Sequence, residues 1–187
     1  KIIPLSDHDL IILAENKLKF ERLGCDVVIS DPSLVKMCMN KKKMYYFCKK
    51  NKIRTPFSIF SKKEKILSFP LLKKKIFGSG SGGIEEIKNN IKLKKIDFNK
   101  FFLQKKIKGT EYGIDILNDL TGDFVCATVK EKLLMRAGET DRSKIVKHAS
   151  LQNLSEAIAR TFRHIGNMDV DVIVDYDGNI YCIDFNY

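Results

Sequence analysis

The 187 residues suffice for one sizeable domain or two small lobes, and apolar and charged fractions of 44% and 30% are those of a globular protein. No apolar run approaches the roughly 20 residues of a membrane-spanning helix and no secretory signal is present, so we expect a cytoplasmic protein without membrane contact. The net charge of +11 is mostly lysine, which favours a general surface charge over a nucleic-acid footprint or attraction to a polyphosphate.

The first part of the chain predicts an α/β segment. Residues 1–38 are typical of a βαβ unit, with a helix at 9–23 that Gly24 ends and a short buried strand at 27–29. A second helix is predicted at 40–51. The five cysteines form no CxxC pair, which favours reduced thiols packed in a core, and the three scattered histidines indicate no zinc site.

Strands dominate the rest of the chain. Two further helices are predicted, at 84–90 and at 154–165, the second with apolar residues at helical spacing. The predicted strands are 57–60, 69–77, 101–106, 111–117, 124–130, 145–148, 168–175 and 179–185. An α/β start is therefore followed by a largely antiparallel α+β body.

The dipeptide Asp177-Gly178, between two alternating strands, is a strong hairpin signal. If these two residues form the turn, Asp171 lies opposite Asp184 and Asp169 lies opposite Asn186, all on one face of the hairpin. Opposed carboxylates need a cation or a proton, and oxygen donors suit Mg²⁺, although a solvated acidic face is equally compatible with the pattern. The other face is predicted to enter a core with Val170, Val172, Val174, Tyr181, Ile183 and Phe185.

A glycine- and serine-rich segment, Gly78-Ser79-Gly80-Ser81-Gly82-Gly83, follows a strand that ends in three lysines. Backbone N–H groups of such a loop can bind phosphate oxygens. The segment matches GxGxxG, but the lysine-rich strand before it does not fit a dinucleotide-binding fold, and no Gly-Lys-Ser/Thr follows. The pattern favours a lid that closes over a triphosphate, with a flexible linker as the alternative.

Taken in order, these segments resemble the ATP-grasp superfamily, particularly its carbamoyl-phosphate-synthase-like branch. Asn40-Lys41 with Ile53-Arg54-Thr55-Pro56 is similar to the family's start and first connection. Residues 70–83 resemble its strand and lid loop, and residues 104–112 resemble its hinge. Ile183-Asp184-Phe185-Asn186 resembles its magnesium motif, with Asp171 in place of the upstream ligand.

The resemblance implies an ATP-grasp fold of class α+β, in which a nucleotide binds between two α+β lobes, preceded by the C-terminal part of a βαβ pre-ATP-grasp domain. The expected domains are a partial pre-ATP-grasp domain at 1–38, the N-terminal lobe with its glycine-rich lid at 39–103, and a truncated C-terminal lobe with the metal-binding hairpin at 104–187. Because both ends look cut, we expect a fragment of a longer protein.

The implied enzyme is an ATP-dependent carboxylate–amine ligase that activates a carboxylate or bicarbonate as an acyl-phosphate for attack by an amine-type acceptor. ATP and Mg²⁺, with Mn²⁺ as an alternative cation, are the implied cofactors, a small carboxylate is the implied substrate, and a homodimer is compatible with the family. The resemblance gives Lys74 and Arg136 catalytic roles and makes Asp171, Asp184 and Asn186 metal ligands. The implied nucleotide contacts are Lys41, Lys74, Gly78, Ser79, Gly80, Ser81, Gln104, Lys106, Ile107 and Glu111.

Lys132, Arg136 and Glu139 lie where the family contacts phosphate or acceptor, with solvated loop charges as the alternative. The chain departs from the family pattern at Lys75, where proline is usual, and at Asp184, which is shorter than the usual glutamate. Tyr187 stands where the family continues with Pro-Arg. Asn40 and Tyr187 leave a degenerate non-catalytic ATP-grasp domain as one alternative, and the lysine-rich surface leaves a basic nucleic-acid-binding module as another.

Overall fold

The computed structural model describes residues 1–66, 68–78, 83–89, 93, 95–136 and 139–187, and for Glu139 the backbone alone. The helices are α1 (Asp7–Arg22), α2 (Pro32–Cys38), α3 (Lys41–Lys50) and α4 (Ala149–Phe162). The strands are β1 (Ser58–Ile59), β2 (Leu71–Lys75), β3 (Glu85–Ile87), β4 (Phe101–Lys105), β5 (Gly109–Asn118), β6 (Phe124–Arg136), β7 (Glu139–Ile145), β8 (Gly166–Asp175) and β9 (Ile180–Asn186). None of the described helices is long and apolar enough to cross a membrane.

Two antiparallel sheets form the body of the chain. The first has the strand order β1-β4-β2-β3, and the second has the order β7-β6-β5-β8-β9. One face of the second sheet is covered by α3 and α4, whose Cys48, Leu151 and Ile158 pack with Ile114 and Val170 in the largest core. The opposite face of the second sheet carries charged side chains and is turned towards the first sheet, which leaves room for a cavity between them.

Helix α4 is amphipathic and buries Leu151, Ser155, Ile158, Ala159 and Phe162 along one side. It begins five residues earlier than predicted, because the side chain of His148 accepts a hydrogen bond from the backbone N–H of Leu151 and caps the helix. It ends at Phe162 rather than at residue 165, because Arg163 adopts a left-handed conformation with φ +47°.

Several other sequence predictions are wrong or incomplete. The helix predicted at 84–90 is wrong, because Glu85 and Glu86 lie in β3 and pair with Lys73 and Lys106. Cross-strand pairing there overrides the helical preference of glutamate. The strand predicted at 145–148 is also wrong, because β7 ends at Ile145, and helix α2 was not predicted. Of the predicted βαβ start, the structure has the helix, as α1, and a single parallel bridge between Ile2 and Val27 in place of the two strands.

The hairpin of β8 and β9 confirms the predicted pairs, although the predicted turn is wrong. Asp175 donates its backbone N–H to the carbonyl oxygen of Asn179 over 2.9 Å, so the loop has three residues, with Gly178 at φ +81°. A β-bulge in β9 beside Asp171 then shifts the register back by one residue. Asp171 therefore lies opposite Asp184, and Asp169 lies opposite Asn186.

The bulge also changes which residues of β9 enter the core. Cys182 and Phe185 are buried in the core, at 1% and 5% exposure, whereas Ile183 and Asp184 line the cavity between the sheets. The prediction that Ile183 and Tyr181 share the core face with Phe185 is therefore wrong, because the extra residue breaks strict alternation.

His164 provides a pH-dependent test of the fold. Its side chain is fully buried, and its Nε2 lies 3.2 Å from the carbonyl oxygen of Ile116. Burial lowers the pKa of His164, so its contribution to stability is present above the unfolded-state value of 6.5 and is lost as the pH falls below it. We expect the unfolding free energy to decrease by up to about 1.4 kcal/mol per pH unit in that range.

Urea unfolding at several pH values checks this prediction. Between pH 7.5 and about 5, the unfolding free energy of His164→Gln is expected to fall less steeply with decreasing pH than that of the unchanged protein. His8→Gln, at an exposed position, is expected to show the same pH dependence as the unchanged protein. Identical slopes in His164→Gln and the unchanged protein would contradict the buried neutral imidazole.

Candidate functional site

A cavity of about 760 Å³ lies between the two sheets, within the range of small-molecule sites. Strands β2 and β4 line one side, β5, β8 and β9 line the other, and the residues between β4 and β5 close one end as a hinge. Of the residues predicted to bind nucleotide or metal, ten line this cavity: Lys41, Lys74, Gly78, Gln104, Lys106, Ile107, Glu111, Asp171, Asp184 and Asn186.

The hinge is held by hydrogen bonding and by close backbone contact. The buried side chain of Gln104 donates from Nε2 to Ser58 Oγ over 3.2 Å, and Ser58 Oγ donates to the carbonyl oxygen of Pro56 over 3.0 Å. At Gly109 a Cβ atom would lie 2.0 Å from the carbonyl oxygen of Val174, so only glycine fits where the hinge enters β5. These contacts fix the hinge beside the cavity.

The lysines of β2 alternate between two environments. Lys73 Nζ lies 3.2 Å from Glu85 Oε2 and 4.5 Å from the centre of the Phe101 ring. Lys74 faces the cavity, and none of the described carboxylates lies within 4.0 Å of its Nζ. Burial lowers the pKa of Lys74, although the charge of Asp184 partly opposes this effect. A half-buried ammonium without a close carboxylate is suited to bind an anionic ligand.

Helix α3 delivers a second lysine to the same cavity. Its N-cap residue Asn40 accepts hydrogen bonds from the backbone N–H groups of Lys42 and Lys43, and the N–H of Lys41 donates to the carbonyl oxygen of Ile76 over 3.0 Å. The start of α3 is thereby attached to the end of β2. From this position Lys41 forms an ion pair with Asp184 on the opposite sheet.

The opposed carboxylates of the second sheet are both paired with lysines. Lys132 Nζ lies 2.5 Å from Asp171 Oδ1 and 3.5 Å from Glu111 Oε1, with only 8% of its side chain exposed. Burial disfavours the charge of Lys132, but the hydrogen bond and charge of Asp171 outweigh burial and raise its pKa. Asp184 is held in the same way by Lys41 from α3, so each carboxylate of the opposed pair has a lysine partner.

The oxygen donors of this face fit a hard divalent cation. Asp171 and Asp184 face each other across the hairpin, and the amide of Asn186 lies on the same cavity wall. Among the described residues no group of three or more His, Cys, Asp and Glu side chains is arranged around one metal position. Two carboxylates and an amide agree with Mg²⁺, which keeps several waters and takes further oxygens from a substrate.

Asp169 adds a third carboxylate to the same cavity wall. Its Oδ1 is buried and has no hydrogen-bond partner among the described residues. Burial and, secondarily, the charge of Asp171 raise the pKa of Asp169 to about 6. An unpaired buried carboxylate oxygen is costly, which is typical of a site that receives a ligand.

Several predicted site residues lie elsewhere or outside the described chain. Arg136 does not line the cavity; its side chain is 76% exposed, and its Nη2 lies 3.3 Å from Asp141 Oδ2. Ser79, Gly80 and Ser81 lie outside the described residues, as does the side chain of Glu139.

Sequence reasoning missed the apolar part of the cavity wall and one acidic residue. Leu72, Ile173 and Ile183 line the cavity, and so does Asp7 from the first turn of α1. Ile173 lies two residues from Asp171 on β8, and side chains two residues apart share a face, so its position on the cavity side could be predicted from the sequence. Ile183 reaches the cavity only because of the bulge, and the position of Asp7 depends on long-range packing of the N-terminal segment.

Comparison with known proteins gives a family match and several similar solved structures. The family described as ATP-grasp domain matches residues 38–187. Among solved structures, Rhizobium etli pyruvate carboxylase T882A with acetyl coenzyme A is similar over 99% of this chain and 19% of its own, at 16% identity and a TM-score of 0.77. The L-amino acid ligase from Bacillus licheniformis is similar over 97% and 47%, at 20% identity and a TM-score of 0.71.

A third similar structure is the biotin carboxylase domain dimer of Hydrogenobacter thermophilus 2-oxoglutarate carboxylase, in complex with MgADP, ADP and bicarbonate. It matches over 93% of this chain and 46% of its own, at 18% identity and a TM-score of 0.71. At these identities the likeness concerns the fold, and the chain spans less than half the length of each of these three proteins. The comparison with curated proteins gives no match.

Proposed function

The chain belongs to the ATP-grasp family, and we propose that it binds ATP with Mg²⁺ between its two sheets and activates a carboxylate as an acyl-phosphate. One observation carries the proposal. Lys74, the opposed pair Asp171 and Asp184, and the hinge with Gln104 all line a single cavity of about 760 Å³, which suits a nucleotide. The order of motifs favours the carbamoyl-phosphate-synthase-like branch within the family.

The hinge end of the cavity is the proposed adenine position. Leu72, Ile173 and Ile183 supply apolar surface there for a flat base, and the hinge backbone near Lys106 and Ile107 supplies hydrogen-bonding groups. Glu111 would accept hydrogen bonds from the ribose hydroxyls.

The lysines of the cavity are the proposed phosphate ligands. Lys74 would bind phosphate oxygens directly, since no described carboxylate pairs with it at close range. Lys41 and Lys132 would leave Asp184 and Asp171 for the phosphates when these carboxylates receive a cation. Asp171, Asp184 and Asn186 are the proposed cation ligands. Bound Mg²⁺ or Mn²⁺ would neutralise charge on the phosphates.

The proposed reaction has two steps. An oxygen of the substrate carboxylate attacks the γ-phosphorus of ATP, the bond to the β,γ-bridging oxygen breaks, and ADP leaves. An amine then attacks the acyl carbon, phosphate leaves, and the amine nitrogen loses a proton. The protein acts by holding the reactants in place and by compensating charge, so no side chain needs to serve as nucleophile.

Positional isotope exchange tests the first step. In ATP labelled with ¹⁸O at the β,γ-bridge, reversible phosphoryl transfer to a carboxylate moves the label into non-bridging β positions. We expect exchange that requires a carboxylate and Mg²⁺ and that falls about tenfold or more in Lys74→Met, while Lys73→Met retains it. Exchange that is absent with every carboxylate tried, in a protein that binds ATP, would favour a non-catalytic ATP-binding domain.

A further inference from the structure

Two carboxylates of the cavity have no role in the proposed nucleotide and metal site. Asp7 and Asp169 both line the cavity, and within the described part of the chain neither side chain forms an ion pair within 4.0 Å; Asp169 Oδ1 is also buried without a hydrogen-bond partner. The other three acidic side chains of the cavity wall, Glu111, Asp171 and Asp184, each lie within that distance of a lysine. Asp7 and Asp169 therefore differ from the other three acidic residues, whose charges are compensated by lysines.

The position of Asp169 is set by the strands on either side. Its Cα partners are Asn186 on β9 and Asp115 on β5. The nearby Lys130 is engaged by Asp115, with 2.7 Å between Lys130 Nζ and Asp115 Oδ2. Asp169 therefore keeps a buried oxygen without a partner, and the free energy cost of such an oxygen is recovered when a cationic group binds.

Asp7 reaches the cavity from a different element. It lies in the first turn of α1, after the N-cap Ser6, where an acidic residue also favours the helix dipole. Asp9 in the same turn supplies that stabilisation from an exposed position, whereas Asp7 lies in the cavity wall. The N-terminal segment thus contributes a second unpaired carboxylate to the cavity formed by the sheets.

The order of residues along β8 places Asp169 beyond the metal pair. Going along β8 away from the hinge, Ile173 comes first and Asp171, opposite Asp184, comes next. Asp169 lies two residues beyond Asp171, roughly 7 Å farther from the hinge. A nucleotide whose base lies at the hinge has its terminal phosphate towards Asp169. Asp169 therefore lies on the side where the phosphate-accepting substrate must bind, in the cavity that Asp7 also lines.

We propose that Asp7 and Asp169 form a subsite for a primary ammonium group, so that the substrate is an amino acid or a related amine-bearing carboxylate rather than bicarbonate or a dicarboxylic acid. This inference rests on the proposed function. An ammonium group has three donors and no acceptor, and charge-assisted hydrogen bonds to two carboxylates compensate both unpaired acids. An anionic substrate group at this position would add repulsion to that of the phosphates.

Matched ligand pairs test the subsite. Calorimetry on protein saturated with Mg²⁺ and the non-hydrolysable analogue AMPPNP compares glycine with acetate and L-alanine with propionate, with bicarbonate as a further probe. Each pair differs only in the amino group, and we expect the amino acid to bind about tenfold tighter or more. Asp169→Asn and Asp7→Asn are each expected to remove most of that preference. The controls Asp177→Asn, at the exposed hairpin tip, and Asp9→Asn, in the first turn of α1, should keep it.

Three results would overturn the subsite while leaving the proposed function in place. These are equal binding within each pair, binding of bicarbonate alone, and binding of none of these probes by protein that binds Mg²⁺ and AMPPNP. Loss of Mn²⁺ affinity in Asp169→Asn, equal to that in Asp184→Asn, would make Asp169 a cation ligand and also overturn the subsite. Failure of AMPPNP itself to bind would reject the proposed function and the subsite with it.

Discussion

Replacing Lys74 by methionine is expected to weaken ATP binding about tenfold or more, roughly 1.4 kcal/mol, and at the same time to stabilise the ligand-free protein. The first effect follows because Lys74 is a half-buried cavity ammonium that has no described carboxylate within 4.0 Å. The second follows because burial lowers the pKa of Lys74, so its charged form costs stability at all pH values below the unfolded-state value of 10.5. Methionine keeps the volume and removes that cost, so we expect Lys74→Met to unfold at a higher temperature than the unchanged protein.

Lys73→Met is the matched control for both measurements. Lys73 is the preceding residue of β2, but it pairs with Glu85 and the Phe101 ring instead of facing the cavity. In calorimetric titrations we expect its ATP affinity to match that of the unchanged protein. Equal ATP affinity in Lys74→Met would remove Lys74 from the nucleotide site, and a loss of thermal stability in that variant would contradict the burial cost.

The alternation of side chains made the acidic face of the hairpin predictable. The pairing of Asp171 with Asp184 is confirmed, but by two features that offset each other, a three-residue turn and a one-residue bulge. A bulge depends on packing across β9 and leaves no mark in a single sequence. The same feature moved Ile183 from the predicted core into the cavity.

The ATP-grasp fold and the α+β class are confirmed, because order and spacing of several weak motifs constrain a fold more than any one motif does. The exact elements were less predictable. The Glu85-Glu86 segment became β3 through pairing with lysines distant in sequence. The domain boundaries after residues 38 and 103 stay predictions, as do the individual roles of the site residues.

The ion pairs of the cavity were beyond the reach of sequence reasoning. Lys41 meets Asp184 across 143 residues of chain, and Lys132 meets Asp171 across 39. Neither spacing follows a local period, so only the assembled sheets bring these groups together. Nor does the sequence place Asp7 in the cavity, because the contacts of α1 with the rest of the chain are long-range.

Asp184→Asn is expected to reduce the contribution of the divalent cation to nucleotide binding about tenfold or more. The substitution keeps the shape of the side chain but removes a negative charge from the opposed pair, and a neutral amide is a weaker ligand for a hard cation than a carboxylate. It also removes the partner of Lys41, so ATP affinity without a cation should rise or stay level. Asp177→Asn, on the exposed turn of the same hairpin, is the control with equal loss of charge.

The opposed carboxylates are tested most directly by electron paramagnetic resonance of Mn²⁺, titrated into protein with and without AMPPNP. We expect Mn²⁺ to bind tightly only when the nucleotide is present, and to bind about tenfold more weakly to Asp184→Asn than to Asp177→Asn. Superposable Mn²⁺ titrations of these two variants, or Mn²⁺ binding that ignores the nucleotide, would contradict a shared cation and nucleotide site between the sheets.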